Sequence, residues 1–342
     1  MKFSKVLYTG CVACLLAAAM LMTTVRTADA TCGSCGVGGK TGAKHTHAVT
    51  AGTGYSELAD GEKAGVEAAG KAKKAIGAVK PKLVLVFGMS QKFDQAKAVA
   101  GVATVFDPKI IHGCAGYNTI TEEGNAGTVS VLALGGEICV TPIMADVEKK
   151  DYLACGKKIG EGLKKASEVK QSGKVVVLIG DCHVKSNDKV VKGITGVIGT
   201  NIPVVGGAAN GGTTYFEGKV AGKAKNVGIL ITGDFLVGCS ILNAGPADVH
   251  PNKIVAAAGQ AFKNAVGDNL KHTAMVFAFD CGGRRGKMGK DRPEELKVMQ
   301  KVVGTKMPLI GFYGSGEMGA KACGQPSTGE GYHISACALI NK

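Results

Sequence analysis

The sequence predicts an α/β protein in which mixed sheets are covered by helices. Glycine is abundant, with 52 residues of 342, whereas proline is scarce, with 9, and this combination is typical of many tight turns between strands. The apolar runs are short and rich in Val and Ile, as expected for buried strands. One order of elements also occurs three times along the chain, which indicates an internally repeated architecture.

Each repeat is predicted to run helix–strand–helix–strand–loop–strand. The first helix carries small residues and lysines, and an apolar strand follows it. After a polar loop and a second helix, a short strand ends in glycine and leads through a glycine-rich loop to the last strand. The first helices lie at 65–78, 151–168 and 252–266, the first strands at 83–87, 175–179 and 274–279, the glycine-ended strands at 110–113, 203–206 and 308–311, and the last strands at 128–134, 226–232 and 332–340.

The N-terminal residues predict export. Lys2 and Lys5 precede an apolar run at 6–22, and Ala30 ends a small-x-small cleavage site. We expect residues 1–30 to be a cleaved signal peptide, leaving a periplasmic or secreted protein with no membrane span. An uncleaved anchor is the alternative, because the apolar run approaches the length of a span. The Gly- and Thr-rich segment 31–52 is expected to be flexible.

The basic charge of the chain does not predict nucleic-acid binding. The formal net charge is +14, but the lysines are spread along the predicted helices and are not interleaved with aromatic residues on which bases could stack. A solvated helix face accounts for most of them. We therefore expect no nucleic-acid partner.

The cysteines admit several interpretations. Twelve are present, and an exported compartment permits disulfides, although the pairing cannot be read from the sequence. Cys32-x-x-Cys35 and His45-x-His47 could together fill a zinc or copper site, but a small disulfide is the simpler interpretation. No cofactor is expected.

The three glycine loops are candidate ligand-binding segments. Ligands of α/β proteins bind beyond the carboxyl ends of strands, and glycine lets backbone amides approach an anionic group closely. Simple tight turns are the alternative. The candidate residues in these loops are Gly113, Cys114, Gly116, Tyr117, Asn118, Gly206, Gly207, Asn210, Gly314 and Gly316.

The third repeat carries the most polar groups. Its first strand ends in Asp280 and Cys281, followed by Arg284 and Arg285, and its glycine loop ends in Glu317. An arginine fork pairs bidentately with a carboxylate, and a glutamate beside it can hold an ammonium group. This pattern predicts an amino acid or small carboxylate as ligand. An internal Arg–Glu salt bridge that orders the two loops is the alternative.

A hydrolase or transferase is the second functional hypothesis. Cys114 or Cys281 would be its nucleophile, and His112 could serve Cys114 as a base if the strand continues through residue 114, because alternate residues of a strand share a face. A buried, unreactive thiol is the simpler interpretation of each cysteine.

Four stretches resemble the FIST domain family, which pairs a FIST N-terminal region with a FIST_C region. They are 110–116, 203–208, 279–284 and 309–319, and the last two are the most specific, with Cys-x-x-Arg and Gly-Phe-Tyr-x-x-Gly-Glu. The likeness covers roughly residues 80–340.

The resemblance implies a FIST N-terminal region at 53–240, with repeats one and two, and a FIST_C region at 241–342, with repeat three. It also implies a ligand-sensing role, with a small-molecule ligand and a separate signalling protein as partners, and no established catalysis or cofactor. The site residues that it implies are Cys114, Cys281, Arg284, Tyr313, Glu317 and His333.

Overall fold

Three mixed sheets, one for each repeat, form the fold. The computed structural model describes residues 26–27, 48–91, 94–181, 184–245 and 250–342. The strands are β1 Arg26–Thr27, β2 Thr50–Ser56, β3 Pro81–Met89, β4 Ile111–Gly116, β5 Thr119–Thr121, β6 Gly124–Gly127, β7 Val129–Gly135, β8 Ile138–Asp146, β9 Gly173–Gly180, β10 Val204–Ala208, β11 Thr214–Phe216, β12 Lys219–Gly222, β13 Lys225–Gly233, β14 Phe235–Asn243, β15 Thr273–Cys281, β16 Leu309–Gly314, β17 Glu317–Gly319, β18 Thr328–Glu330 and β19 His333–Asn341. The helices are α1 Gly61–Ile76, α2 Gln95–Ala103, α3 Tyr152–Ser167, α4 Val184–Ile198, α5 Pro251–Val266, α6 Gly282–Met288 and α7 Arg292–Val303.

The predicted α/β class is confirmed, and each repeat contains three strands more than predicted. One of them, β2, β8 or β14, stands before the first helix of its repeat, and the other two form a hairpin within the glycine loop. β2 gives little signal in the sequence because Gly52 and Gly54 lie against the backbone of α1, where a side chain would collide. β2 begins at Thr50, so the last residues of the segment 31–52 belong to the first sheet.

The four long strands of every repeat have the same order. From the edge inwards, the first sheet runs β2–β7–β3–β4, the second β8–β13–β9–β10 and the third β14–β19–β15–β16. The pairs β3–β4, β9–β10 and β15–β16 are parallel, and the other pairs in these series are antiparallel. A helical crossover joins each parallel pair, as parallel strands require.

The glycine loops join the repeats into a closed ring. β5 of the first repeat pairs with β16 in the third sheet, β11 of the second pairs with β4 in the first, and β17 of the third pairs with β10 in the second. Each repeat therefore completes the sheet of another repeat. At the opposite edge of the second sheet, β1, within residues 1–30, pairs with β8.

Both faces of every sheet are apolar. One face of each sheet looks into a single core shared by all three, and the other lies beneath the helices of its own repeat. This double burial explains why the strands read as continuous apolar runs rather than alternating ones. The inward set includes Leu85, Phe87, Val177, Ile179, Phe277 and Phe279, and the set beneath the helices includes Val84, Val86, Val176, Leu178, Val276 and Ala278. No helix in the described ranges has the length and apolar character needed to cross a membrane.

One glycine in each repeat allows the parallel strands to approach closely. Gly113, Gly206 and Gly311 occupy equivalent places in β4, β10 and β16. A Cβ atom on any of them would overlap a carbonyl oxygen of the neighbouring strand, that of Val86, Leu178 or Ala278 respectively. These three glycines are thus required by packing, whatever the loops that follow them do.

We expect Gly311→Ala to destabilise the protein by about 3 kcal/mol or more, because the added methyl group must displace a strand backbone. Chemical denaturation monitored by circular dichroism measures this loss. Gly70→Ala is the matched control: Gly70 is an exposed residue of α1 with open space around a Cβ, so this change should stabilise the helix by about 1 kcal/mol. Equal stability of the two variants would contradict the packing argument.

Candidate functional site

The polar residues of the third repeat meet at the carboxyl ends of β15 and β16. Asp280 and Cys281 end β15, Glu317 opens β17 and His333 opens β19. Arg284 lies in the first turns of α6, directly after β15. Asp280, Arg284 and Glu317 are buried, whereas Cys281 and His333 are half-buried.

Arg284 forms an internal salt bridge with two carboxyl groups. Its Nε donates to Asp280 Oδ1 at 2.7 Å, and its Nη2 donates to Glu295 Oε1 at 2.9 Å and to the Ile254 carbonyl at 3.1 Å. The Tyr313 hydroxyl donates to the other oxygen of Glu295 at 2.7 Å. The internal partners of Arg284 are therefore Asp280 and Glu295, and not Glu317 as the sequence suggested.

Glu295 is the residue of this network that the sequence analysis did not single out. It lies in the first turn of α7, where acidic residues are common because they favour the positive end of the helix dipole, and that role conceals its partnership with Arg284. Burial, and then the charge of Asp280, raise the pKa of Glu295 well above its usual range. Loss of Arg284 would leave two buried carboxyl groups without their cation, a change that typically costs about 3–5 kcal/mol.

Glu317 lies beside Cys281 and, among the residues that the structure describes, forms no salt bridge with a cationic side chain. Its Oε2 accepts from the backbone N–H of His333 at 3.0 Å, and the Cys281 thiol adjoins its carboxyl group. Burial raises the pKa of Glu317 well above its usual range. Glu317 thus favours its neutral form in the folded protein.

Several buried polar atoms around Glu317 lack a hydrogen-bond partner. They are Asp280 Oδ2, Arg284 Nη1, Glu317 Oε1 and the Tyr332 hydroxyl oxygen. Asp280 and Arg284 lie close enough to influence the pKa of Glu317, and Arg284 and Cys281 influence that of Tyr332. Buried polar groups are nearly always satisfied in native proteins, so this concentration indicates a place where water or a ligand completes the hydrogen bonds.

Neither candidate nucleophile is activated. Burial, followed by the charge of Glu317, raises the pKa of the Cys281 thiol to about 12. Cys114 is fully buried in the shared core, which raises the pKa of its thiol well above the usual range. β4 does continue through Cys114, but burial lowers the pKa of His112 to about 3, and its ring packs on Phe216 with centroids 4.9 Å apart.

Two arginines converge on one amide oxygen between the first and third repeats. Asn118 Oδ1 accepts from Arg285 Nε at 2.6 Å and from Arg292 Nη1 at 3.3 Å, and Asn118 Nδ2 donates to the Ala126 carbonyl at 3.1 Å. Within the described part of the chain neither arginine pairs with a carboxylate, and Arg292 Nε has no partner. Burial, and then the charge of Arg292, lower the pKa of Arg285. The pair is therefore a local excess of positive charge.

Tyr117 and Tyr332 connect these two polar groups. They flank the first turn of α6, with the Tyr117 ring against Gly282 and the Tyr332 ring 3.2 Å from the position of a Cβ on Gly283. Tyr332 was not predicted as a site residue, although its positive φ of 65° marks an unusual backbone. The Glu317 group and the arginine pair thus both adjoin the short helix α6, which Cys281 caps and which carries Arg285.

The remaining predicted residues of the glycine loops hold the repeats together. A Cβ on Gly116 or Gly207 would lie 2.8 Å from the Phe312 ring, and one on Gly314 would lie 2.6 Å from the Ala208 carbonyl oxygen. The carbonyl of Gly316 accepts from the Ala208 N–H at 2.8 Å. Asn210 lies elsewhere, and its Nδ2 donates to Ser90 Oγ at 2.5 Å. The metal candidates Cys32, Cys35, His45 and His47 lie outside the described residues.

We expect Glu317→Gln to remove a pH dependence of stability. Because the folded-state pKa of Glu317 is raised, its contribution is complete below the unfolded pKa of about 4.3 and is lost as pH rises towards the folded pKa. The free energy of unfolding of the native protein should therefore fall relative to the variant, by up to about 1.4 kcal/mol per pH unit. Urea denaturation of both proteins at several pH values measures the difference.

Glu294→Gln is the control for this experiment, because it removes an exposed carboxyl group of α7. It should leave the pH profile of the native protein unchanged. A constant difference between the native protein and Glu317→Gln at all pH values would show that the pKa of Glu317 is the same in the folded and unfolded states, and would contradict the raised pKa.

Two solved structures are similar over most of the chain. One is a cyanuric acid hydrolase, described as an evolutionary innovation by structural concatenation. The similarity covers 86% of this chain and 100% of the hydrolase chain, at 12% sequence identity and a TM-score of 0.42. The other is a cyanuric acid hydrolase from A. caulinodans. The similarity covers 85% of this chain and 99% of the hydrolase chain, at 11% sequence identity and a TM-score of 0.46. No curated protein matches the chain.

Two family models match consecutive parts of the sequence. Residues 82–245 match the FIST N domain and residues 232–320 match the FIST C domain. Together the two matches span more than half of the chain and include the glycine loops, the Cys-x-x-Arg stretch and Glu317. The chain therefore belongs to the FIST domain family.

Proposed function

We propose that this protein senses a small carboxylate or amino acid, which binds where the first and third repeats meet. FIST domains are sensory domains that bind small ligands. The observation that carries the finer proposal is the arginine pair, in which Arg285 and Arg292 share only the amide oxygen of Asn118.

The charge balance of this pair favours an anionic ligand. Two guanidinium groups close together repel each other, and a neutral amide oxygen compensates little of that repulsion. A carboxylate can accept two parallel hydrogen bonds from an arginine and neutralises charge at the same time. Arg284 is less suited to this role, because the carboxyl groups of Asp280 and Glu295 already balance the charge of its guanidinium group.

The Glu317 group supplies the feature that would suit an amino acid. Its unpartnered oxygen belongs to the group of polar atoms around Cys281, which caps the helix α6 that also carries Arg285. An ammonium group near it would favour the ionised carboxylate and offset the effect of burial on its pKa. A ligand without an amino group would use the arginine pair alone.

Ligand binding would also couple the repeats. Asn118 belongs to the first repeat, whereas Arg285 and Arg292 belong to the third. A ligand that neutralises the arginines would strengthen this contact and so change the surface that a separate signalling protein meets.

Calorimetric titration and thermal-shift measurements on the full chain test this proposal. The probes are the standard amino acids, their amide derivatives and small dicarboxylates. We expect a carboxylate probe to bind and its amide to fail. Arg285→Gln and Arg292→Gln should each weaken binding about 10- to 100-fold, since a hydrogen bond to a charged group contributes about 1.5–3 kcal/mol.

Lys287→Gln and Lys290→Gln are the matched controls, because they remove exposed positive charges near the same helix. They should bind the probe like the native protein. If the arginine and lysine variants lose affinity for the probe equally, the attraction is non-specific. If both arginine variants bind the probe like the native protein, the ligand binds elsewhere.

Nucleophilic catalysis by Cys281 or Cys114 has less support. A reactive cysteine needs an accessible thiolate, whereas burial raises the pKa of both thiols. Cys281 is the better placed of the two, since it is half-buried and adjoins the unpartnered atoms around Glu317.

We also propose that the protein is exported, on the basis of residues 1–30. Expression of the full chain in a bacterial host with a periplasm should yield a protein that begins at Thr31, as determined by intact mass and N-terminal sequencing. Replacement of the residue before the cleavage site, Ala30→Leu, should block this processing. Recovery of an uncleaved native chain from the cytoplasm would contradict the proposal.

A further inference from the structure

Three cysteines outside the ligand site lie together on the third sheet. Cys239 in β14 is directly opposite Cys337 in β19, so the two side chains share one face of the antiparallel pair. Cys323 belongs to the loop after β17, and its thiol donates to the Val237 carbonyl at 2.9 Å. The Cys239 and Cys323 thiols adjoin each other, close enough for each to shift the pKa of the other. Two segments far apart in sequence thus bring their sulfur atoms into contact.

The three thiols differ sharply in accessibility. Cys323 is exposed, whereas Cys239 is 4% and Cys337 0% exposed. A cavity of about 560 Å³ opens beside Cys323, with Val237, Gly238 and Asn264 in its wall. A small thiol reagent can therefore reach Cys323 first and the other two cysteines only through it.

The reactivity of the thiols differs in the same order. Hydrogen bonds from the thiol and backbone N–H of Cys239 lower the pKa of Cys323. The bond to Cys323, together with burial, raises the pKa of Cys239, and burial raises that of Cys337. An exposed thiol of lowered pKa beside a buried second thiol is the arrangement of an attacking and a resolving cysteine.

We propose that Cys323 and Cys239 form a reversible disulfide by exchange with a disulfide from solution. The Cys323 thiolate attacks one sulfur of the external disulfide, whose S–S bond breaks and releases one thiolate that takes up a proton. Cys239 then loses its proton and attacks the Cys323 sulfur in the mixed disulfide, which expels the second external thiol. Two protein thiols are oxidised, and one external disulfide is reduced to two thiols.

The loop that carries Cys323 can accommodate the new bond. Residues 321–326 are exposed, while Ala320 and Ser327 at its ends are buried. Movement of this loop can therefore bring the sulfur of Cys323 to the bonding distance of about 2.0 Å from that of Cys239, while the sheet that holds Cys239 stays unchanged.

The disulfide would connect the redox state to the ligand site. The loop continues directly from β17, which carries Glu317 and pairs with the second sheet, whereas β14 belongs to the third sheet. A bond between them ties the two sheets together immediately beyond the site. The oxidised protein would therefore hold Glu317 in a more restricted position than the reduced protein.

Peptide mapping of the full chain tests the disulfide itself, independently of any ligand. The reduced protein is incubated with oxidised glutathione, and free thiols are blocked with N-ethylmaleimide. Peptides are then produced by trypsin together with a glutamate-specific protease, which cuts after Glu330 between Cys323 and Cys337, and are analysed by mass spectrometry. We expect a peptide pair linked through Cys239 and Cys323, which dithiothreitol separates. The mapping distinguishes this link from any that involves other cysteines.

Three variants identify the roles of the thiols. Cys323→Ser, a change at an exposed position, should abolish the link and leave Cys239 unmodified. Cys239→Ser should retain glutathione on Cys323 as a stable mixed disulfide, whereas Cys337→Ser should form the link as the native protein does. A native protein that links Cys239 to Cys337, or that keeps glutathione on Cys323 without forming the link, would overturn the proposal.

Discussion

The close approach of backbones at the glycine-ended strands is the constraint on which the rest of this structure depends. At Gly113, Gly206 and Gly311 there is no room for even a methyl group beside the neighbouring strand. This approach brings β4, β10 and β16 to the position from which the following loops reach another repeat. Each loop then adds its hairpin to the sheet of another repeat, and the three sheets close around one core.

The closure of the ring also explains why the polar site is built from more than one repeat. The hairpin of the first repeat lies beside β16 and carries Asn118 to the arginines of the third repeat. Phe312 of β16 packs against Phe87 of the first repeat, with ring centroids 4.7 Å apart, and against Phe279 of the third repeat, with ring centroids 5.8 Å apart. The aromatic contacts therefore hold in place the two segments that the ligand would bridge.

Buried charge gives the third repeat its special character. Arg284 neutralises a carboxyl group from β15 and contacts another from α7, which orients the short helix α6 between them. Because α6 also carries Arg285, and Cys281 caps its first turn, the internal salt bridge determines where the exposed polar groups point. An arginine that looks like a ligand-binding fork in the sequence is thus a positioning residue for its neighbours.

The sequence by itself determined the α/β class, the three repeats and the family, because buried parallel strands and glycine-ended turns leave local patterns that can be read residue by residue. It also located Asp280, Cys281, Arg284 and Glu317 in one region, since all follow strands of the same repeat. Only the tertiary structure decided that Arg284 pairs with Glu295, that Asn118 meets Arg285 and Arg292, and that Cys323 contacts Cys239. These contacts join segments far apart along the chain, and they depend on which sheet each glycine loop enters, a choice made by packing between repeats and not by any local pattern.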